Sequence, residues 1–105
     1  MPSHYASVIE QVAASMSART LRHAVIASNI ANRDTVGYQR LTLRFDEAMS
    51  RAAAVAPVRD TSATPVSLEQ DLVALSANAA HYEAMAQALS RYFSIIGTIT
   101  SESRG

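Results

Sequence analysis

The 105-residue chain contains no cysteine and no tryptophan, and all nine of its basic residues are arginine. The absence of cysteine excludes disulfides, thiolate metal ligands and a thiol nucleophile. Only three glycines and three prolines occur, which favours long helices over a sheet-rich fold, because both residues interrupt helices. Uninterrupted apolar runs of about 18 residues are absent from the sequence, so no segment predicts a transmembrane helix.

Acidic and basic residues balance, with nine of each and a formal net charge of zero. A neutral chain lacks the excess positive charge that neutralises phosphates, so we expect no nucleic-acid partner. The charges are unevenly placed, with a net +3 over residues 1–59 and −3 over residues 60–105. Two interpretations stay open: the two halves attract each other or a neighbouring copy, or the asymmetry is chance in a short chain.

The N-terminal segment lacks the pattern of a secretory signal. Its first charged residue is Glu10, and no basic stretch precedes an apolar run. We therefore expect a protein that stays in the cytoplasm or leaves it by a route without a cleaved signal.

A helical spacing of apolar residues runs from about Ser3, a plausible N-cap, to Asn32. Arg19 occupies the one position in the stripe where an apolar residue would be expected. His23 lies on the stripe, and there we expect a packed, hydrogen-bonded imidazole and not a metal ligand. The stripe has the spacing 3, 4, 7, 3, 4 and consists of Ile9, Val12, Met16, His23, Ile26 and Ile30.

A heptad pattern predicts a second helix from Leu68 to Thr100. Ser67 as N-cap and Gln70 three residues later match a capping box. One apolar series recurs every seventh residue: Leu68, Leu75, Tyr82, Leu89 and Ile96. A companion series follows four residues after each: Leu72, Ala79, Ala86 and Phe93. We expect an all-α fold in which two long amphipathic helices pair as a coiled coil, joined by an extended or irregular middle segment.

The middle of the chain lacks the helical spacing of apolar residues. Apolar and polar residues alternate over 41–45, which predicts an extended stretch or short strand, and residues 46–54 could form a short helix. Residues 55–66 contain two prolines and many small polar residues, and we interpret them as a linker with little order. We divide the chain into an N-terminal rod helix (1–33), a motif turn with extended segment and flexible linker (34–66) and a C-terminal heptad helix (67–105).

The sequence offers few candidates for chemistry. The three histidines, His4, His23 and His81, are far apart, and the spacings typical of metalloproteases, serine nucleophiles or phosphate loops are absent. We expect no enzyme activity, no catalytic residues, no metal and no cofactor. An apolar stripe longer than one partner helix can cover indicates an assembly subunit that buries the remainder against other copies or other proteins.

One segment of the chain, Ala27 to Tyr38, is unusual in composition. Asn29 and Asn32 lie three apart on one face at a helix end, where an amide can satisfy free carbonyls or bridge to a neighbouring chain. The four residues that follow Asp34 fit a turn with Gly37 at the position that needs positive φ. On the residues alone, an ordinary helix C-terminus followed by a turn remains the other interpretation.

This segment resembles the N-terminal signature of bacterial flagellar rod, hook and hook-filament junction proteins. The matching residues are Asn29, Ile30, Asn32, Asp34, Thr35, Gly37 and Tyr38, and Val36 stands where that family usually has proline. Within the family, Arg19 and Arg22, the stretch Leu43 to Asp46 and the C-terminal heptads are most similar to the proximal basal-body rod protein of the B type.

The resemblance implies a structural subunit of the flagellar basal-body rod, exported without a cleaved signal through the flagellar type III apparatus. It implies assembly into the proximal, periplasmic axial tube on the export gate and membrane ring, and torque transmission. The implied partners are other copies and other rod, basal-body and export-gate proteins. A soluble coiled-coil adaptor or export chaperone is the alternative. The residues expected to pack helices or form interfaces are Ile9, Val12, Met16, Ile26, Leu68, Leu72, Leu75, Tyr82, Leu89, Phe93 and Ile96.

Overall fold

The computed structural model describes residues 2–43, 56–62 and 64–104. Two long helices pack side by side in opposite directions and form an elongated molecule of 64 × 24 × 18 Å. A two-stranded antiparallel sheet lies between them in the chain. The elements are α1 (Pro2–Ala31), β1 (Leu41–Thr42), β2 (Val58–Arg59) and α2 (Leu68–Arg104). The predicted fold class, two helices joined by an irregular segment, is confirmed.

Contacts along the hairpin define how the helices are aligned. The rings of Tyr5 and Tyr92 lie with centroids 6.2 Å apart, and the hydroxyl of Ser15 donates to the sulfur of Met85 at 3.2 Å. Residue numbers rise along α1 while those of their contacts fall along α2, so the pairing is antiparallel. The last seven or so residues of α2 therefore extend past Pro2, by about 10 Å at 1.5 Å per residue.

The start of α2 is fixed by side chains, as the sequence predicted. Ser67 Oγ accepts from the backbone N–H of Gln70 at 3.1 Å, and Gln70 Oε1 accepts from the N–H of Ser67 at 2.8 Å. This reciprocal capping box satisfies two N–H groups that the helix geometry leaves without partners.

The packed face of each helix differs from the predicted stripe. On α2 the inward companion series is Asp71, Asn78, Met85 and Tyr92, whereas Leu72 and Phe93 of the predicted series are each about half exposed. One residue corresponds to about 100° of rotation around a helix, so the predicted series lies on the flank of the contact. Within the chain this series is therefore not the packed one, and its role at an interface with other chains stays a prediction.

Helix α1 shows the same displacement. Its most buried residues include Ser15, Ala18, Val25 and Asn29, and of the predicted stripe only Ile26 joins them. The expectation of a packed His23 is wrong, because this side chain is exposed. Among the described residues the buried apolar core is small and consists of Ala18, Val25, Ile26 and Leu43.

The short sheet lies at the end of the hairpin where α1 stops and α2 starts. Leu41 is paired with Arg59 and Thr42 with Val58. The predicted strand after residue 40 is therefore confirmed at β1, but the expectation of little order over 55–66 is wrong at β2. The short helix predicted over 46–54 lies outside the described residues.

Candidate functional site

The side chain of Asn29 holds β1 against the end of α1. Asn29 is 3% exposed. Its Nδ2 donates to the carbonyl of Leu41 at 2.9 Å, and its Oδ1 accepts from the N–H of Leu41 at 3.0 Å. One amide side chain thus binds both backbone polar groups of one residue.

The strand register explains why Leu41 is the residue bound. In an antiparallel pair, residues alternate between those that face their partner strand with N–H and C=O and those that face away. The N–H of Asp60 donates to the carbonyl of Arg40 at 2.9 Å, which places the polar backbone groups of Leu41 on the side away from β2. Asn29 therefore takes the place of a third strand and satisfies groups that burial would leave without water.

Three further side chains tie the helix end to this amide. The hydroxyl of Tyr38 donates to Asn29 Oδ1 at 2.9 Å and lies 3.0 Å from the hydroxyl of Ser28. Asn32 Nδ2 donates to the carbonyl of Ser28 at 3.0 Å, as a second donor beside the backbone N–H of Asn32 at 2.9 Å. The two asparagines of the motif therefore have separate roles: Asn29 binds the strand, and Asn32 binds the last turn of α1 and the hydroxyl of Thr35.

A tight turn connects the helix to Tyr38. The N–H of Tyr38 donates to the carbonyl of Thr35 at 3.2 Å, and Gly37 has φ = 82°. This matches a type II turn, which requires positive φ at its third residue and favours proline at its second. The predicted positive φ of Gly37 is confirmed. Val36 occupies the second position with a side chain that is 99% exposed.

An ion pair joins the motif segment to α2. The two terminal nitrogens of Arg40 donate to the two carboxylate oxygens of Asp71, both at 2.8 Å, in a parallel fork. The Asp71 side chain is 5% exposed and that of Arg40 31%. The hydrogen bonds between the two side chains lower the pKa of Asp71 and raise the pKa of Arg40. Burial opposes both shifts in part. The pair connects the basic half of the chain to the acidic half.

A second buried polar contact lies further along the helices. Asn78, 2% exposed, donates from Nδ2 to the backbone carbonyl of Arg19 at 2.7 Å and accepts from Arg19 Nη1 at 3.4 Å. This contact explains why an arginine interrupts the apolar stripe of α1. Sequence reasoning missed Asp71 and Asn78 as site residues, although they stand seven apart in the same series as Met85 and Tyr92.

The structure brings the motif residues together at one end of the hairpin. Asn29 is buried, while Ile30, Asn32 and Tyr38 are half-buried, and Asp34, Thr35 and Gly37 are exposed. Of the predicted packing residues, Ile26 is buried and Leu72, Tyr82 and Phe93 are exposed. The others are half-buried: Ile9, Val12, Met16, Leu68, Leu75, Leu89 and Ile96.

The part of the chain that the structure describes offers little for ligand chemistry. Within it, no cluster of three or more histidine or acidic side chains is placed to bind a metal ion. Across the same residues, neither helix has an apolar stretch sufficient to cross a bilayer. The arrangement at the hairpin end instead fixes backbone geometry through side-chain hydrogen bonds.

Replacing Asn29 should destabilise the hairpin more than replacing Asn32. Asn29→Ala leaves both half-buried backbone groups of Leu41 without partners, which we expect to cost about 2–4 kcal/mol. Asn32→Ala removes a half-buried side-chain hydrogen bond to a carbonyl that keeps its backbone donor, and should cost about 1 kcal/mol or less. Urea unfolding followed by circular dichroism, with trimethylamine oxide added to stabilise the folded chain, measures both. Equal losses would contradict the separate roles.

The two glycines of the hairpin should respond oppositely to the same substitution. A Cβ added at either Gly37 or Gly97 meets no atom within 4 Å, so packing is not the cause of any difference. Gly37→Ala forces a side chain into the left-handed region and should cost about 1–2 kcal/mol. Gly97→Ala, inside α2, should stabilise by about 0.5–1 kcal/mol. Thermal unfolding of both variants checks the signs, and a stabilised Gly37→Ala would refute the turn assignment.

The ion pair between Asp71 and Arg40 should make the free energy of unfolding depend on pH in the acidic range. Because the pKa of Asp71 is lowered in the folded chain, its stabilisation is present above the unfolded value of about 3.9 and is lost as pH falls through the folded pKa. Asp71→Asn should cost on the order of 1–3 kcal/mol at pH 7. The difference between parent and variant should shrink below about pH 4. A difference that stays constant from pH 7 to pH 2 would show that Asp71 does not act through its charge.

Comparison with known proteins finds a family similar to this hairpin end. A family model described as "Flagella basal body rod protein" matches residues 11–39, which cover most of α1, both asparagines and the type II turn. No curated protein matches the chain at a significant level. The resemblance to flagellar basal body rod proteins is thus supported by this match over residues 11–39.

Proposed function

We propose that this chain is a structural subunit of the flagellar basal-body rod that assembles laterally through α2. The observation that carries the proposal is an apolar ridge on α2 that α1 leaves uncovered. Leu72 is 48% exposed and Phe93 49%, with Ala79 and Ala86 at seven-residue spacing between them. The ridge spans about 30 Å, which suits a helix of a neighbouring subunit.

The apolar stripe of α1, half-buried over most of its length, borders the same face. A depression of about 260 Å³ between the helices is lined on α1 by Arg19, Thr20 and His23, and on α2 by residues that include Ala79 and Tyr82. The two apolar stripes of the sequence thus flank one broad surface of the hairpin. A surface with apolar residues at heptad spacing supports burial against other chains, because isolated proteins rarely leave such patches uncovered.

The motif would position this surface in the assembly. In the proposal, the hydrogen bonds of Asn29, Asn32 and Tyr38 hold the hairpin end in one shape, and Ile30 packs beside them. The exposed Asp34, Thr35 and Gly37 then present a defined turn to the next subunit. We assign the chain to the proximal, periplasmic part of the rod, next to the export gate and membrane ring, where it would transmit torque after export through the flagellar type III apparatus.

The matched family is structural, which agrees with the expectation of no enzyme activity. The partners in this proposal are other copies of the chain and other rod, basal-body and export-gate proteins. The alternative, a soluble coiled-coil adaptor or export chaperone, would use the same ridge to form a closed dimer. Sedimentation equilibrium at micromolar concentration separates the two, because a stable closed dimer with a cooperative melt would favour the adaptor.

Motility in a flagellated bacterium that carries this chain tests the ridge. Leu72→Gln/Phe93→Gln places two amides on the ridge while leaving the buried residues unchanged. We expect the variant to be made at parental levels, to fold with parental helicity and to abolish swimming in a strain that lacks the parent gene. Basal bodies isolated from such cells should lack a complete rod.

A matched control uses two apolar residues that are exposed elsewhere on α2. Val73 is 68% exposed and Ile95 58%, and neither lies in the seven-residue series. Val73→Gln/Ile95→Gln should swim normally, because it changes polarity by the same amount off the ridge. Normal swimming by the ridge variant, or equal loss in both, would overturn lateral assembly through this surface.

A further inference from the structure

We propose that two buried polar contacts, Asn78 with Arg19 and Asp71 with Arg40, select the register in which α1 and α2 pair. This inference concerns how the chain chooses among its own possible alignments and stands apart from the proposed rod function. Register matters because α2 extends past Pro2. A shift of one heptad would change that extension by about 10 Å.

Apolar packing alone distinguishes poorly between alignments seven residues apart. The series at 68, 75, 82, 89 and 96 borders the contact and consists of Leu, Leu, Tyr, Leu and Ile, half-buried except for the exposed Tyr82. A slide of α2 by seven residues replaces one large apolar side chain by another at most points of contact. A heptad repeat of this kind permits alternative registers unless a polar residue specifies one.

The inward series breaks this repetition. It is polar at Asp71 and Asn78 and apolar at Met85 and Tyr92, and the two polar residues are 3% and 2% exposed. Only the observed alignment gives both residues their partners at once. A slide of seven residues moves Asp71 to the place of Asn78, or Asn78 to the place of Asp71, and separates the other residue from its arginine. The contact between α1 and α2 therefore has a polar half and an apolar half. This asymmetry distinguishes one alignment of the two helices from alignments shifted along the helix axis.

Shifting the helices would separate Asn78 from its partner. The residues seven before and seven after Arg19 are Val12 and Ile26, so either slide of one heptad would place the buried amide against an apolar side chain. The guanidinium of Arg19, which approaches Asn78 Oδ1 at 3.4 Å, would lose that contact as well. The Nδ2 group of Asn78 would still meet a carbonyl after a slide, because its acceptor is the main chain of α1. The cost falls on Oδ1, which loses the Arg19 guanidinium, and this opposes both slides.

The second contact ties the alignment to the sheet. Arg40 immediately precedes β1, which Asn29 fastens to α1, so the guanidinium has a fixed position relative to that helix. Sliding α2 by a heptad would move Asp71 about 10 Å from Arg40 and leave a buried carboxylate without the fork that binds it. Buried polar groups are best attested as determinants of register in helical pairs.

Distance measurements between spin labels test the proposal in this cysteine-free chain. Ala6→Cys and Ser76→Cys introduce labels at exposed positions on α1 and α2, and dilution with unlabelled protein restricts the signal to single chains. Because Tyr5 lies beside Tyr92, the two sites are offset by about 22 Å along the hairpin. A heptad slide changes this offset by about 10 Å in either direction.

The test variant replaces both contacts by apolar groups. Leucine replaces both partners of each contact, so no buried polar group is left alone. The four substitutions are Arg19→Leu, Asn78→Leu, Asp71→Leu and Arg40→Leu. We expect parental helicity by circular dichroism and a second distance about 10 Å from the parental one. Each pair of substitutions alone should give a smaller second population.

The matched control is Ser15→Ala/Met85→Leu, which alters the same seam at a contact outside the two polar pairs. It should keep the single parental distance. A single parental distance in the fourfold variant would overturn the proposal. Loss of helix in that variant would also overturn it, because the polar contacts would then be needed for the helices to pair at all and not to choose their register.

Discussion

The hydrogen bonds between the side chain of Asn29 and the backbone of Leu41 are the constraint on which the hairpin end depends. They hold β1 beside α1, and the position of β1 sets where Arg40 can reach Asp71. Without the amide, the half-buried N–H and C=O of Leu41 would lack partners, and the strand would lose the hydrogen bonds that hold it along the helix. A single side chain thus links the end of the first helix to the start of the second.

The type II turn and the Asn29 contact depend on each other through Tyr38. The turn reverses the chain so that the phenol hydroxyl returns to Asn29 Oδ1, and Gly37 makes the reversal possible at φ = 82°. The turn therefore serves a purpose beyond connection, because it supplies a donor to the amide that binds the strand. This mutual dependence gives a physical reason why asparagine, glycine and an aromatic hydroxyl occur at fixed distances in this segment.

The sequence predicted the helices, the capping box and the positive φ of Gly37, because each rests on local spacing and backbone chemistry. It placed the packed faces about one residue off, because apolar side chains marked the flanks while Asp71 and Asn78 occupy the contact itself. A polar residue is buried only when its partner is near, and the partners lie 31 and 59 residues away. β2 was missed because its pairing with β1 is equally non-local.

The small core has a thermodynamic consequence. No large side chain is fully buried among the described residues, and the four buried apolar residues are of modest size. Opening the hairpin would expose little new apolar surface, so its heat-capacity change on unfolding would be small for its length. The free energy of unfolding would then vary gently with temperature and would have no sharp maximum.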